Sequence, residues 1–331
     1  MTVQITIIGT GQIGASIGLA LAEHKDMFLR VGHDKNIRIA NQVKTMGALD
    51  RVDPNLLNSV ANADIVILAL PLDQIRETIQ FVASDLKEDV VVMDTAPVKA
   101  EVMAWAKEML PSNRHYIGLM PVLNPAYLDL AETGVEAARA DLFKNGMMAI
   151  LSPKNTPGEA IKLAMDFSTM VGAAHLFIDP LELDSMLAAT RVLPQLVAAA
   201  LLNITVDQPG WQDSRKLADR TYAIATRAIT QSRDANSLYA EAVSANEHLV
   251  RWIDALMDNL VVLREQLSSK DGKNLLQFLA QASLGREKWL NEKKKANWAA
   301  ENMPNVEIPT AKQVFSQMIT FGAGRKPKKP K

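Results

Sequence analysis

Ile8-Gly9-Thr10-Gly11-Gln12-Ile13-Gly14-Ala15-Ser16 is the stretch that decides the fold. Before it, Val3, Ile5, Ile7 and Ile8 form a short apolar run rich in β-branched side chains, which predicts a buried strand. After it, Ile13, Ile17 and Leu21 recur at helical spacing with small residues between them. Gly-x-Gly-x-x-Gly carries meaning in this context, after a strand and opening a helix. Gly9 permits the tight turn, Gly11 lets backbone approach a pyrophosphate, and Gly14 lets the helix pack closely on the strand. The N–H groups at the helix start, around Gln12 and Ile13, then face the phosphates with the helix dipole behind them. A strand-to-helix turn without a ligand would look similar, so a second signal is needed. The next apolar run, residues 28–31, ends at Gly32-His33-Asp34. Asp34 lies about 20 residues past the last glycine, where a carboxylate accepts hydrogen bonds from an adenosine ribose. Together these residues predict dinucleotide binding. Asp34 favours NAD over NADP, because a 2′-phosphate would meet a carboxylate. Lys35 and Arg38 soften that preference and leave NADP as the alternative.

Composition sets the outer limits. The 331 residues suffice for two domains, and a hydrophobic fraction of 48% supports a large core. The net charge of −1 argues against a general nucleic-acid binder. Apolar residues 192–206 are interrupted by Pro194, Gln195 and Asn203, so no membrane span is expected. The chain begins directly with a strand pattern and no basic leader. It has no cysteine, which excludes disulfides, a thiolate nucleophile and cysteine-ligated metal centres. No metal site is expected, and the composition fits a cytoplasmic protein.

Strand and helix patterns alternate through the first half. Strands are expected at 63–70, 89–94, 115–120, 147–151 and 174–178, with helices at 37–46, 97–109 and 158–171. The pattern predicts an α/β fold, a Rossmann-type doubly wound parallel sheet over residues 1–179. From Pro180 the signals are helical only, giving an all-helical C-terminal domain over 180–290. Residues 183–204 read as one long apolar helix. Leu249, Ile253, Leu256, Leu260, Leu263 and Leu267 follow four-three spacing and predict a bundle seam. Residues 291–331 form a charged extension with an amphipathic piece at 314–321 and a basic, flexible tail.

A sheet of this kind binds its ligand beyond the carboxyl ends of its strands. The residues to inspect are therefore Leu70-Pro71-Leu72, Asp94 to Lys99, and Gly118 to Asn124. In the long apolar helix the polar exceptions are Arg191 and Gln195, four apart on one face. That face either meets solvent or closes an active site; its apolar surroundings favour the second.

The chain resembles the prephenate/arogenate dehydrogenase family of tyrosine biosynthesis. The resemblance spans residues 3–290. It is carried by the glycine stretch, Ala63-Asp-Ile-Val-Ile-Leu-Ala-Leu-Pro71, Asp94-Thr-Ala-Pro-Val-Lys99, Tyr116-Ile-Gly-Leu-Met-Pro121, Leu187-Ala-Ala-Thr-Arg-Val-Leu-Pro-Gln195, Thr226-Arg227 and Arg286-Glu-Lys-Trp289. It implies hydride transfer from a ring carbinol to NAD(P)+ with loss of carbon dioxide, a small anionic substrate, and a homodimer joined through the helical domain. The alcohol needs a partner that accepts its proton, and substrate carboxylates need an arginine clamp.

The departures are specific. Where the family has Gly-Gly-His-Pro, this chain has Gly118-Leu119-Met120-Pro121, and a thioether cannot accept that proton. Leu70 replaces the serine that commonly precedes Pro71. Ser-His-Leu-Pro-His becomes Arg191-Val192-Leu193-Pro194-Gln195. None of the histidines at 24, 33, 115, 175 and 248 occupies a motif position. By the resemblance Arg227 holds a substrate carboxylate, with Arg220 as a second choice, and Arg191 adds positive charge. Lys99 is the remaining titratable group at the nicotinamide end, either as an acid or base or as a structural contact. Three readings follow: a prephenate or arogenate dehydrogenase with a rebuilt site, a dehydrogenase for another anionic hydroxy or oxo acid, or a non-catalytic dinucleotide-binding sensor or partner subunit.

Overall fold

The computed structural model describes residues 2–130, 132–230, 234–269 and 272–295. Its first compact unit, Met1–Pro180, contains a single eight-stranded sheet. In chain order the elements are β1 (Val3–Ile8), α1 (Gln12–Ala20), β2 (Phe28–His33), α2 (Ile37–Thr45), β3 (Arg51–Val52), α3 (Leu56–Val60) and β4 (Ile65–Leu68). They continue with α4 (Leu72–Val82), β5 (Val91–Asp94), α5 (Ala100–Met109), β6 (His115–Val122), β7 (Met147–Leu151), α6 (Gly158–Met170) and β8 (Ala174–Phe177). The strand order is β3-β2-β1-β4-β5-β6-β7-β8. The order reverses between β1 and β4, the position where open sheets of this class form their ligand crevice.

The sheet is parallel from β3 to β6, as the buried β-branched runs require. One pairing departs from the parallel pattern: β7 runs antiparallel to β6, with Gly118 opposite Leu151. The connection explains this. Between β6 and β7 the described residues form two short 3₁₀ turns, Pro125–Tyr127 and Gly134–Ala137, and none of the α-helix that usually carries a parallel crossover. That connection lies along α1. Gln12 Nε2 donates to the Ala137 carbonyl at 3.4 Å, and the Arg139 N–H donates to Ser16 Oγ at 3.0 Å.

Arg30 fixes the other end of α1. Its side chain is almost fully enclosed, donates to the Gly18 and Gly47 carbonyls at 3.0 Å, and grips Asp50 through Nε and Nη2 at 3.0 and 2.6 Å. Burial raises the Asp50 pKa, but the hydrogen bonds and charge of Arg30, with Lys25 further off, outweigh it and hold the carboxyl below its usual value.

The second compact unit, Leu181–Lys295, is helical. It follows α7 (Pro180–Leu187), a π-turn (Ala188–Val192), α8 (Leu193–Val206), α9 (Trp211–Leu217), α10 (Arg220–Thr226), α11 (Ala235–Ser244), α12 (Asn246–Ser268) and α13 (Gly272–Lys295). The uniform α-helix expected over 183–204 is therefore wrong in one place: the π-turn interrupts its α-helical hydrogen bonding. Pro194 does not break the run, because it occupies the first turn of α8, where its missing N–H costs little. As a result Pro180–Val206 is a continuous 27-residue helical run, apolar and long enough to cross a membrane by length and composition alone. This overturns the expectation that its polar residues and proline would interrupt it. Ala188 and Val192 of the π-turn pack with Leu238, Ala245 and Leu249. Of the predicted seam, only Leu249 is buried; Leu260 and Leu267 are more than half exposed. Ile253, Leu256 and Leu263 between them are partly buried, so the seam is only partly covered among the described residues. The amphipathic piece at 314–321 and the basic tail lie outside them.

Arg30→Met is expected to lower the unfolding free energy of the full chain by about 3 kcal/mol, since it strands Asp50 and two carbonyls. The difference between wild type and variant should be full at neutral pH. It should shrink as pH falls below about 4, through the lowered Asp50 pKa, because that contribution exists only while the carboxyl is ionised. Urea unfolding at several pH values measures it.

Candidate functional site

The site begins where α1 meets β1. Gly9 sits at φ +88°, and a Cβ there would lie 2.4 Å from the Ala69 carbonyl oxygen and 2.9 Å from Leu70 Cδ2. At Gly14 a Cβ would lie 2.0 Å from the Gly9 oxygen. These two glycines therefore let the helix start directly above the crossing of β1 and β4. At Gly11 no atom lies within 4 Å of an added Cβ, so the turn is open on that side, and no side chain caps the start of α1. This leaves helix-start N–H groups, those following Gly11 at Gln12 and Ile13 among them, to meet an anion. The shape and chemistry fit a dinucleotide pyrophosphate. Leu70 and Pro71 follow β4 at the edge of the same turn, with Pro71 leading into α4.

Asp34 follows β2. Its Oδ2 accepts from the Thr10 N–H at 2.8 Å and Thr10 Oγ1 at 3.1 Å, and its Oδ1 accepts from the Asn36 N–H at 2.8 Å. Thr10, unassigned from sequence, is fully buried and ties the glycine turn to the acidic residue. A carboxylate has about four acceptor sites, so this bracing leaves capacity for a ribose hydroxyl. Lys35 and Arg38 are exposed beside it.

At the carboxyl ends of β5 and β6 lies a different chemistry. Lys99 is fully buried, and its Nζ donates to Asp94 Oδ1 at 2.7 Å and to the Asp94 carbonyl at 3.2 Å. Tyr116 OH donates to Asp94 Oδ2 at 2.6 Å, and the Ala96 N–H donates to Asp94 Oδ1 at 2.8 Å. Of the two roles the sequence left open at Lys99, acid or base and structural contact, this enclosed ion pair has the geometry of the second. The pairing of Asp94 with Tyr116 is not legible in the sequence, because strand register decides their meeting. Met120 continues the same strand face and is buried. Among the described residues no group of three or more His, Asp or Glu could hold a metal ion. His115 begins β6 opposite Val91, at the amino end of the strand, and lies 3.8 Å from Asp89.

In the helical unit Arg191 lies in the π-turn, a feature frequent at functional sites. Its Nε lies 3.4 Å from Oε2 of the buried Glu241. Arg191 therefore does not bring uncompensated positive charge, as the sequence suggested. Glu241, on α11, had no sequence signal beyond its acidity. Gln195 is buried and donates to the Arg191 carbonyl at 3.0 Å. The two residues do share one face, which is held by protein rather than by solvent at Gln195. Arg227 is half-buried at the end of α10 and forms no ion pair among the described residues; Arg220, at its start, is exposed.

Comparison with known proteins covers both units. Residues 17–176 match the family model described as prephenate dehydrogenase, nucleotide-binding domain, and residues 179–281 match prephenate dehydrogenase, dimerization domain. The first match begins just past Gly14. The chain is 26% identical over 291 residues to a cyclohexadienyl dehydrogenase of Zymomonas mobilis, covering 85% of this chain and 94% of that one. It is 23% identical over 281 residues to a prephenate dehydrogenase of Bacillus subtilis, covering 84% and 74%. Its fold is similar to that of prephenate dehydrogenase from A. aeolicus, solved with hydroxyphenyl propionate and NAD+, with a TM-score of 0.76, 20% identity, and coverage of 87% and 98%.

Gly14→Ala places a methyl group against the Gly9 carbonyl, so α1 must shift. A fluorescence titration is expected to show NADH binding weakened at least about tenfold, the scale of a small overpacking cost.

Proposed function

This chain belongs to the prephenate dehydrogenase family, and we propose that it is an NAD-dependent dehydrogenase of tyrosine biosynthesis that oxidises prephenate or arogenate with loss of carbon dioxide. The observation that carries the reading is the ordered match of both family models across residues 17–281. The glycine turn supports it independently, because its geometry suits a pyrophosphate and lies outside the matched span.

NAD+, when bound, supplies the hydride acceptor. The chain's own residues then do three things. Gly9, Gly11 and Gly14, with Gln12 and Ile13, receive the pyrophosphate. Asp34, braced by Thr10, takes the adenosine ribose and disfavours a 2′-phosphate. Arg227 engages a substrate carboxylate, while Arg191 offers the donors that Glu241 leaves over. The protein works in the cytoplasm as a homodimer. The exposed seam of α12 and the apolar run of α7 and α8 supply a face for the second copy, and the second unit matches a dimerization domain.

Met120 favours a second reading. A buried thioether occupies the position where the resemblance places a proton-accepting histidine. A dehydrogenase or reductase of the same architecture acting on another anionic hydroxy or oxo acid meets this constraint, and so does a non-catalytic sensor or partner subunit.

Purified protein incubated with prephenate or arogenate and NAD+ is expected to form NADH, more slowly with NADP+. Arg227→Ala is expected to raise KM about 10- to 100-fold through loss of one charge-assisted hydrogen bond. NADH binding without turnover of either substrate, in wild type and in Met120→His, overturns the first reading; a screen of hydroxy and oxo acids then separates the others. Light scattering is expected to give twice the chain mass.

A further inference from the structure

Side chains alternate along a strand, so β5 turns Val92 and Asp94 to one face while Val91 and Met93 join the core on the other. On β6 Ile117 and Leu119 join that same core, and Tyr116, Gly118 and Met120 face the other way. The register sets Val92 beside Tyr116 and Asp94 beside Gly118. Asp94 and Tyr116 thus meet by register. Lys99, from the start of α5, reaches the other oxygen of the same carboxylate. Gly118 makes the room: a Cβ there would lie 3.2 Å from both Lys99 Cδ and Tyr116 Oη.

The cluster is built to hold backbone. Asp94 accepts from the Ala96 N–H, Lys99 Nζ reaches back to the Asp94 carbonyl, and the Thr95 N–H donates to the Leu68 carbonyl at 3.0 Å. The turn from Asp94 to Val98 is therefore pinned at both ends and to β4. The sheet order places this turn on the far side of the crevice from Asp34. If Asp34 takes the adenosine ribose, the nicotinamide half lies over β4, β5 and β6.

We infer that Tyr116 and Lys99 are positioning residues for the nicotinamide end. Acting through the Asp94 carboxylate, they fix the turn from Asp94 to Val98 on which that half of the dinucleotide rests, and Lys99 exchanges no proton with substrate. This deepens the dehydrogenase reading and rests on it for the identity of the dinucleotide. The charges of Lys99 and Asp94 compensate each other in a site closed to water, where loss of one partner is far worse than loss of both.

The test compares NADH with ADP-ribose, which lacks the nicotinamide, by fluorescence and calorimetric titration of the full chain. Tyr116→Phe removes one hydrogen bond and no charge. It is expected to weaken NADH binding about fivefold while ADP-ribose binding stays within about twofold. Equal weakening of both ligands means general damage to the unit and overturns the inference; no change in either overturns it too. Lys99→Met is expected to lose NADH binding more severely, and adding Asp94→Asn to recover part of it. Failure to recover in a double variant that melts like wild type overturns the pairing. Lys99→Arg is expected to lower kcat while keeping the shape of its pH profile, since arginine stays charged throughout. Loss of one limb of that profile would assign the proton transfer to Lys99 and overturn the inference. If wild type turns over neither prephenate nor arogenate, the functional reading fails by itself, and the two-ligand comparison still decides this one.

Discussion

Helix α1 can begin where it does because two Cβ atoms are missing. At Gly14 a methyl group would sit 2.0 Å from the Gly9 oxygen, and at Gly9 one would sit 2.4 Å from the Ala69 oxygen. The rest of the nucleotide-binding unit depends on that approach. It sets the helix start above the point where the sheet reverses direction, it lets Thr10 reach Asp34, and it leaves α1 to be clamped further along by Arg30 and by the connection after β6. One close contact between backbones thus sets an uncapped helix start beside the Asp34 carboxylate.

The two sides of the crevice solve different problems. On the Asp34 side the polar groups are partly exposed and retain hydrogen-bonding capacity, as ligand recognition requires. On the β5–β6 side Asp94, Lys99 and Tyr116 are buried and satisfied by one another. Burying a charge costs heavily unless it is paired and hydrogen-bonded. A cluster that meets this condition is stiff, which suits it to hold a turn and unsuits it to trade protons with a substrate. Met120, next on the same strand face, extends that closed surface with a group that carries no proton.

The helical unit shows the opposite imbalance. It buries few of its large apolar side chains within one chain, and along the leucine seam of α12 Leu249 is buried while Leu260 and Leu267 are exposed. Exposed apolar surface on this scale marks an association face. The π-turn that carries Arg191 packs on the buried part of that unit, so its geometry is set by the chain's own core.

The sequence by itself determined the strand–glycine–helix entry, the acidic residue after β2, the change from alternating to helical pattern near residue 180, and the family. Each of these is local, written in periodicity, in the small menu of turn residues, or in short motifs in order. Only the tertiary structure decided that β7 runs antiparallel, that Arg191 is compensated by Glu241, and that Lys99 and Tyr116 are buried on the two oxygens of Asp94. Pairing partners lie 5, 22 and 50 residues apart in these cases, and strand register and helix packing, which no local pattern encodes, bring them together. A lysine in a sequence is a charge of unknown surroundings. Burial and its neighbours decide whether it moves a proton or holds a wall.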